Sequence, residues 1–414
     1  MTSAAPALAR RLGLTDAVTI GLGSMLGAGV FAAFVPAARA AGEWLLVSLA
    51  IAAVVAFCNA TSSAQLAARY PTSGGTYFYG REELGEWPGF LAGWCFVIGK
   101  TASCAAMALT AAHYLVPQAW QRPAAALLVW ALAAANLRGI TRTAKLTRLL
   151  AGIVIVVLAL VVVIGWASDA PTTPAEPLHA DAFGVLQGAG LLFFAFAGYA
   201  RIATMGEEVT EPERTIPRAI VLALGIALLI YLAVALTLLH VLGAGALASS
   251  NAPLAAVVQT VGASWASPAV RFGAGAAALG ALLNLMTGIG RTSLAMARGG
   301  DLPRALATIE PKHQVPRTAE LTLAVVVTVL VLTTDLRGAI GFSSFGVLLY
   351  YFVANTAAWH QSEGRRYPRA LQGLGMVLCL VLVATLPWRS IAVGLAVLAV
   401  GILVRLALTR RANT

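Results

Sequence analysis

The chain has 414 residues, 59% hydrophobic and 11% charged, with a formal net charge of +11 and a mean hydropathy of +0.83. A soluble domain covers its surface with roughly 25% charged residues, so this composition excludes a water-soluble fold and makes lipid the solvent. The basic excess need not imply a nucleic-acid partner, because its placement along the chain accounts for it.

A helix that crosses a bilayer needs about 20 mostly apolar residues. In chain order, twelve such stretches are expected at 15–38, 44–68, 88–116, 123–138, 146–167, 183–209, 216–242, 268–297, 319–334, 337–360, 370–387 and 389–408. The loops between them are short and leave no room for a separate soluble domain. The fold class is therefore an all-α polytopic membrane protein. At the N-terminus, Arg10-Arg11, an apolar run and the AARA of Ala37–Ala40 imitate a cleavable export signal. Gly21, Gly23 and Gly27 crowd the supposed apolar core of that signal, and the segment is read as the first span.

Span one contains GSMLGAGVF (Gly23–Phe31), and span six contains GAGLLFFAFAGYAR (Gly188–Arg201). Alone, Gly23 and Gly27 form a GxxxG, which fits a helix-packing face as well as a helix break. The two segments lie five spans apart. A five-span repeat crosses an odd number of times, so its second copy is inverted. Glycine-interrupted helices at corresponding places of inverted repeats point to a transporter's ligand site. Spans four and nine also correspond, and they are the two shortest. A helix broken at mid-membrane exposes N–H groups on one side of the gap and carbonyls on the other, tolerable only where they meet a polar ligand or cavity. The N–H end suits a carboxylate and the carbonyls suit an ammonium, so a zwitterion could be held without a charged side chain.

With the N-terminus inside, Arg39, Arg122, Arg271, Arg337 and Arg389 fall outside, and Lys100, Arg201 and Arg291 fall within spans. The other twenty of the 28 Lys+Arg lie at cytoplasmic ends and loops, which places both termini in the cytoplasm. Arg outnumbers Lys 25 to 3, as in a GC-rich bacterium. Cys58, Cys95, Cys104 and Cys379 all fall in spans without metal-ligand spacing, so neither disulfides nor metal sites are expected. All 17 acidic residues and all five histidines can be placed at span ends or in loops, which argues against a buried acid or histidine proton relay. Lys100 lies about 12 residues into span three, roughly 18 Å from its cytoplasmic end. At that depth it is either a functional, proton-exchanging group or a permanent cation bonded to backbone carbonyls. Arg201 and Arg291 lie nearer the cytoplasmic face and are expected to pair there with Glu207 or Glu208.

Five ordered segments carry a family resemblance: GSMLGAGVF, YPTSGGTYFYGREELGEWPGFLAGW (Tyr70–Trp94), ANLRGITRTAK (Ala135–Lys145), FFAFAGYARIATMGEEVTEPERTIPRAI (Phe193–Ile220) and SLAMARGGDLP (Ser293–Pro303). Together they resemble the amino acid–polyamine–organocation (APC) transporter superfamily over roughly residues 10–320. The resemblance implies the LeuT-type fold, with a first repeat over 15–167, an inverted second repeat over 183–360, helices 11–12 over 370–408, and spans one and six broken. It also implies backbone N–H contacts to a substrate carboxylate at Met25, Ala28 and Gly29, and carbonyl contacts to its ammonium at Phe194, Ala195 and Ala197. Tyr199, beside Gly198, falls at an aromatic gate position. Two departures stand out. Ala200 and Arg201 follow that tyrosine where cation-selective members often carry an acid, and span five lacks the buried lysine of some proton-coupled relatives.

The expected function is secondary active transport of amino acids across a bacterial inner membrane, of neutral amino acids and with proton coupling through Lys100. Arg201, Glu207, Glu208 and Arg291 are the cytoplasmic gate candidates. An obligate amino acid or amine exchanger and a cationic amino acid or polyamine permease remain open, with an ion channel disfavoured because the irregular segments form a pair within one chain. No enzyme activity, cofactor or nucleic-acid partner is expected. The expected partners are the amino acid, the lipid bilayer and protons.

Overall fold

The computed structural model describes residues 12–72, 74–138, 144–168, 178–206, 208–310 and 315–412. Among them every element is helical, apart from the isolated bridges Leu12–Val209 and Glu310–Val315.

The chain opens with α1 (Leu14–Met25), α2 (Ala28–Ala32) and α3 (Phe34–Ala41), which together make the first expected span in pieces. Then come α4 (Leu45–Arg69), the short α5 (Gly75–Leu84), α6 (Glu86–Leu115), α7 (Gln121–Leu137) and α8 (Ala144–Ala167). The second half starts with α9 (Ala182–Phe196) and α10 (Ala200–Ala203), joined by a 3₁₀ turn at Ala197–Tyr199. It continues with α11 (Pro212–Ser249), α12 (Pro253–Thr260), α13 (Ser267–Arg298), α14 (Arg317–Thr333) and α15 (Leu336–His360). Helices α16 (Arg369–Thr385) and α17 (Trp388–Ala412) close the chain.

Each of the twelve expected stretches overlaps described helix, although the sixth, 183–209, outruns α10, which ends at Ala203. Among the described residues, nine helical stretches are long and apolar enough to cross a membrane, and α16 is a shorter apolar one. Helices α7 and α14, on expected spans four and nine, have 17 residues each. The expected end of span seven at residue 242 coincides with a kink at Gly243, whose φ of 70° interrupts α11. Helices α5 and α12 were not anticipated, because neither is long or apolar enough to register as a span.

Helix α6 is the axis of the bundle. Its most apolar 18-residue window is 94% buried, against 22% for α17 and 33% for α8. Such burial on all sides suits a helix rich in Gly, Ala, Ser and Thr, because association inside lipid depends on close backbone approach and not on hydrophobic contrast. Gly99 of α6 lies against Gly346 of α15, where an added Cβ would come within 3.2 Å of Gly346 Cα. One turn away, the Ser103 and Ser343 hydroxyls are 2.6 Å apart. The peripheral helices instead turn Val156, Val163 and Leu403 outward, each at least 64% exposed. That apolar exterior is what a bilayer covers.

Candidate functional site

Span one opens fully. Helix α1 ends at Met25, Leu26 and Gly27 are non-helical, and α2 restarts at Ala28. The restarted helix runs on into α3 through Ala33 N–H to Gly29 (3.0 Å) and Ala37 N–H to Ala33 (3.3 Å). The N–H groups of Ala28 and Gly29 therefore belong to a first turn, where no helical acceptor precedes them. The Ala28 side chain lies outside the described residues.

Span six tightens without opening. Its 3₁₀ turn at Ala197–Tyr199 keeps every residue in the right-handed region but removes the regular i→i−4 pattern. Three carbonyls at and before the turn each meet a donor. Phe194 accepts from the N–H of Ala197. Ala195 lies 2.8 Å from the Tyr231 hydroxyl of α11, and Ala197 accepts from Lys100 Nζ at 2.8 Å. Tyr231 is 2.7 Å from Met25 O as well, so one side chain spans both interruptions.

Glycine lets the two interruptions touch. A Cβ added to Gly198 would come within 2.5 Å of Met25 N and of Ser24 C. One added to Gly29 would come within 2.5 Å of Ala195 Cα. Both glycines serve the close approach of spans one and six, and Gly29 turns its bare side toward Ala195. Tyr199 is fully buried and packs against Tyr351 of α15 at 5.2 Å between ring centroids.

Lys100, 3% exposed, donates to Ala197 O from the middle of α6. Among the described residues no carboxylate lies within 4.0 Å of it.

Glu208 brings two of the basic residues within spans together: it pairs with Arg291 of α13 and, at 3.9 Å, with Arg201. Beside it, Leu12 N–H donates to the Glu208 carbonyl at 3.1 Å and Thr210 N–H donates to the Leu12 carbonyl at 2.9 Å. Glu207 lies outside the described residues. The same end of the bundle carries a second network: Asp301 binds Arg405 Nε at 3.1 Å, Arg81 at 3.0 Å and the Tyr77 hydroxyl at 2.9 Å. The other end holds a cleft of about 180 Å³ lined by Val35, Arg39, His113, Asn251, Asp335 and Arg337. Its wall includes the α2–α3 half of span one, whose Phe31 carbonyl accepts from Tyr114 at 3.1 Å.

One expectation needs correction. The acidic residues are not all solvated: Asp301 and Glu320 are each 3% exposed. Asp301 has three cationic or phenolic partners, whereas Glu320 accepts from Asn136 Nδ2 at 3.4 Å. Position in a span does not distinguish them. The available signals were Asn136 and Thr287, polar residues in the apolar spans that face Glu320. Tyr231 was missed too, although it is the one tyrosine in span seven (LLIYLAVAL). Arg405, expected at a solvated helix end, is 3% exposed and lies 4.4 Å over the Trp87 ring.

The chain was compared with known proteins. The amino acid permease family profile matches residues 12–409. A Mycobacterium tuberculosis (strain H37Rv) protein named as an uncharacterized transporter is 56% identical over 98% of this chain and 93% of its own length. The branched-chain amino acid permease of Bacillus subtilis is 25% identical, covering 99% of this chain and 95% of the relative. Cationic amino acid transporter 7, chloroplastic, of Arabidopsis thaliana is 27% identical over 85% of this chain and 65% of its own.

Proposed function

Since the chain belongs to the amino acid permease family, we propose that it carries neutral amino acids across the bacterial inner membrane by alternating access, coupled to protons. The observation that carries this reading is the contact between the two helix interruptions, closed by Gly198 on Ser24–Met25 and bridged by Tyr231. In this reading the substrate carboxylate meets the N–H groups at Ala28 and Gly29, with Met25 beside them, and its ammonium meets the carbonyls of Phe194, Ala195 and Ala197. Lys100 and Tyr231 hold two of those carbonyls, so an arriving ammonium shares or displaces them. Each carbonyl has two lone pairs, which lets sharing occur.

The preference for neutral substrates rests on Lys100. While protonated, Lys100 has no carboxylate within 4.0 Å among the described residues, and its charge disfavours a substrate that carries a second cation on its side chain. It also supplies the coupling candidate: a lysine that gives up its proton releases the charge that competes for Ala197. The Bacillus relative is named for branched-chain amino acids and the Arabidopsis relative for cationic ones. Exchange without coupling is the second reading, since a site made of backbone groups needs no ion.

The bias of basic residues supports both termini inside, and in that orientation the Glu208 network faces the cytoplasm and the cleft faces out. Tyr199 is the aromatic gate beside Gly198, and Arg201, Glu208 and Arg291, with Glu207 nearby, form the inner gate. The chain then divides as 15–167, the inverted 183–360 and the appended 370–408.

Proteoliposome uptake of a labelled amino-acid panel tests this. Saturable uptake of neutral amino acids, driven by an inward pH gradient and indifferent to replacing sodium by choline, is the expected result. Amidating the ligand carboxylate or acetylating its amine is expected to abolish binding. The ligand is the cleaner place to intervene than Gly29, whose replacement would also wedge spans one and six apart. Preferred uptake of lysine or arginine, or strict sodium dependence, overturns the proposal.

A further inference from the structure

Glu320 sits in the first turn of α14, where that helix packs against α6, α7 and α13. Its carboxyl is 3% exposed. From α7, Asn136 offers one amide N–H at 3.4 Å, a long hydrogen bond. The Asn136 carbonyl oxygen in turn takes the Thr287 hydroxyl of α13 at 3.5 Å. Gly290 of α13 lies directly against the carboxyl, where an added Cβ would come within 2.9 Å of Oε1. The titratable group facing it from α6 is Cys104, which is within electrostatic reach of both Glu320 and Lys100. On its own helix Arg317 is turned to Glu310, at 3.8 Å. Among the described residues no cation lies within 4.0 Å of Glu320.

An ionised carboxylate in such a place would be desolvated with one weak amide donor for compensation. The favourable end of the helix dipole offsets only a small part of that cost. A carboxyl buried among packed helices without a counter-ion invites neutralisation by a proton, and that gives it a use. We propose that Glu320 is a proton-binding site of the transport cycle: it takes a proton from water to form its O–H bond and returns that proton to water when the corner between α7, α13 and α14 hydrates. The proposal rests on the transporter reading and deepens its proton coupling. Lys100 then acts at the substrate, and Glu320 carries the coupled proton one helix away.

The location gives a route from protonation to movement. Gly290 precedes Arg291, whose guanidinium is held by Glu208 at the proposed inner gate. A change of charge at Glu320 is therefore felt on the helix that carries the gate cation, through the Gly290 backbone against which the carboxyl lies.

Glu320→Gln keeps the shape and removes the titration. Two measurements on the full-length protein in liposomes separate the possibilities. In infrared difference spectra between acid and neutral pH, the wild type is expected to show a protonated-carboxyl C=O band that is missing from E320Q. In transport, E320Q is expected to retain counterflow exchange while its pH-gradient-driven accumulation ratio falls to unity. Persistence of the band in E320Q, or accumulation equal to wild type, overturns the proposal. A variant that binds no ligand in a thermal-shift assay and shows no exchange also overturns it, by making Glu320 a packing residue. If the wild type moves no amino acid at all while the band is lost in E320Q, the amino-acid reading fails and the proton site stands.

Discussion

Arg405 and Lys100 are equally buried, at 3% exposure each, yet the protein treats them in opposite ways. Arg405 is surrounded: Asp301 at 3.1 Å, the Glu86 carbonyl at 3.0 Å, and the Trp87 and Phe90 rings beneath its guanidinium. Lys100 has one carbonyl. A guanidinium cannot lose its proton here and must be compensated, whereas an ammonium can. Arg405 ties α17 to the start of α6 and to the end of α13, which is a structural duty. Lys100 occupies an acceptor that a ligand could use, and leaving it without a counter-ion keeps that acceptor exchangeable. Burial alone does not separate the two roles; compensation does.

The largest expected effect comes from breaking the compensated side. Asp301→Asn leaves the Arg405 and Arg81 guanidinium groups without their shared carboxylate and should cost about 3–5 kcal/mol of stability. Unfolding in mixed micelles measures this, and a loss under about 1 kcal/mol would erase the contrast. Lys100→Met should move the other way. Removing an ion that has no counter-ion is neutral or stabilising, so the melting temperature should hold or rise while gradient-driven accumulation disappears and exchange persists. A melt lowered as far as that of Asp301→Asn would make Lys100 structural.

The smallest effect lies within the Arg405 network. Tyr77, outside the spans in α5, has its hydroxyl pushed up to about 12, first by burial and then by the charge of Asp301. An unfolded tyrosine titrates near 10. The folded state therefore holds the proton longer, and the stabilisation is complete below about pH 10 and lost as pH rises through about 12. Tyr77→Phe should flatten that alkaline decline in a melting series. An unchanged slope would detach Tyr77 from the network.

The helices were legible in the sequence because span length and apolar content are local properties. Each expected stretch overlaps helix, and Gly243 ends the straight part of span seven where composition suggested. The interruption in span one was legible for the same reason, since Gly27 sits in it. Span six was less so: a 3₁₀ turn and an opened segment leave the same glycine-and-alanine signature, and only backbone angles tell them apart. Charge environment was the least legible. Glu320 and Arg405 both stand near span ends, where a one-dimensional reading assigns water. Their burial is decided by Asn136 and Gly290 in one case and by Trp87 and Phe90 in the other, all distant in sequence. The Lys100 partner was foreseen as a class, a backbone carbonyl near a broken helix, but not as Ala197.

The contact of Gly198 with Ser24 and Met25 has a mechanical consequence. At that crossing the backbones have no clearance, since even a methyl group would overlap. The two helices therefore behave as blades on one pivot. In the alternating-access reading proposed above, a tilt that draws α2 outward and widens the cleft at Arg39 would turn about this crossing and bring the Glu208 end inward. Opening at one surface and closure at the other would then be one displacement, and a leak would require the pivot itself to come apart.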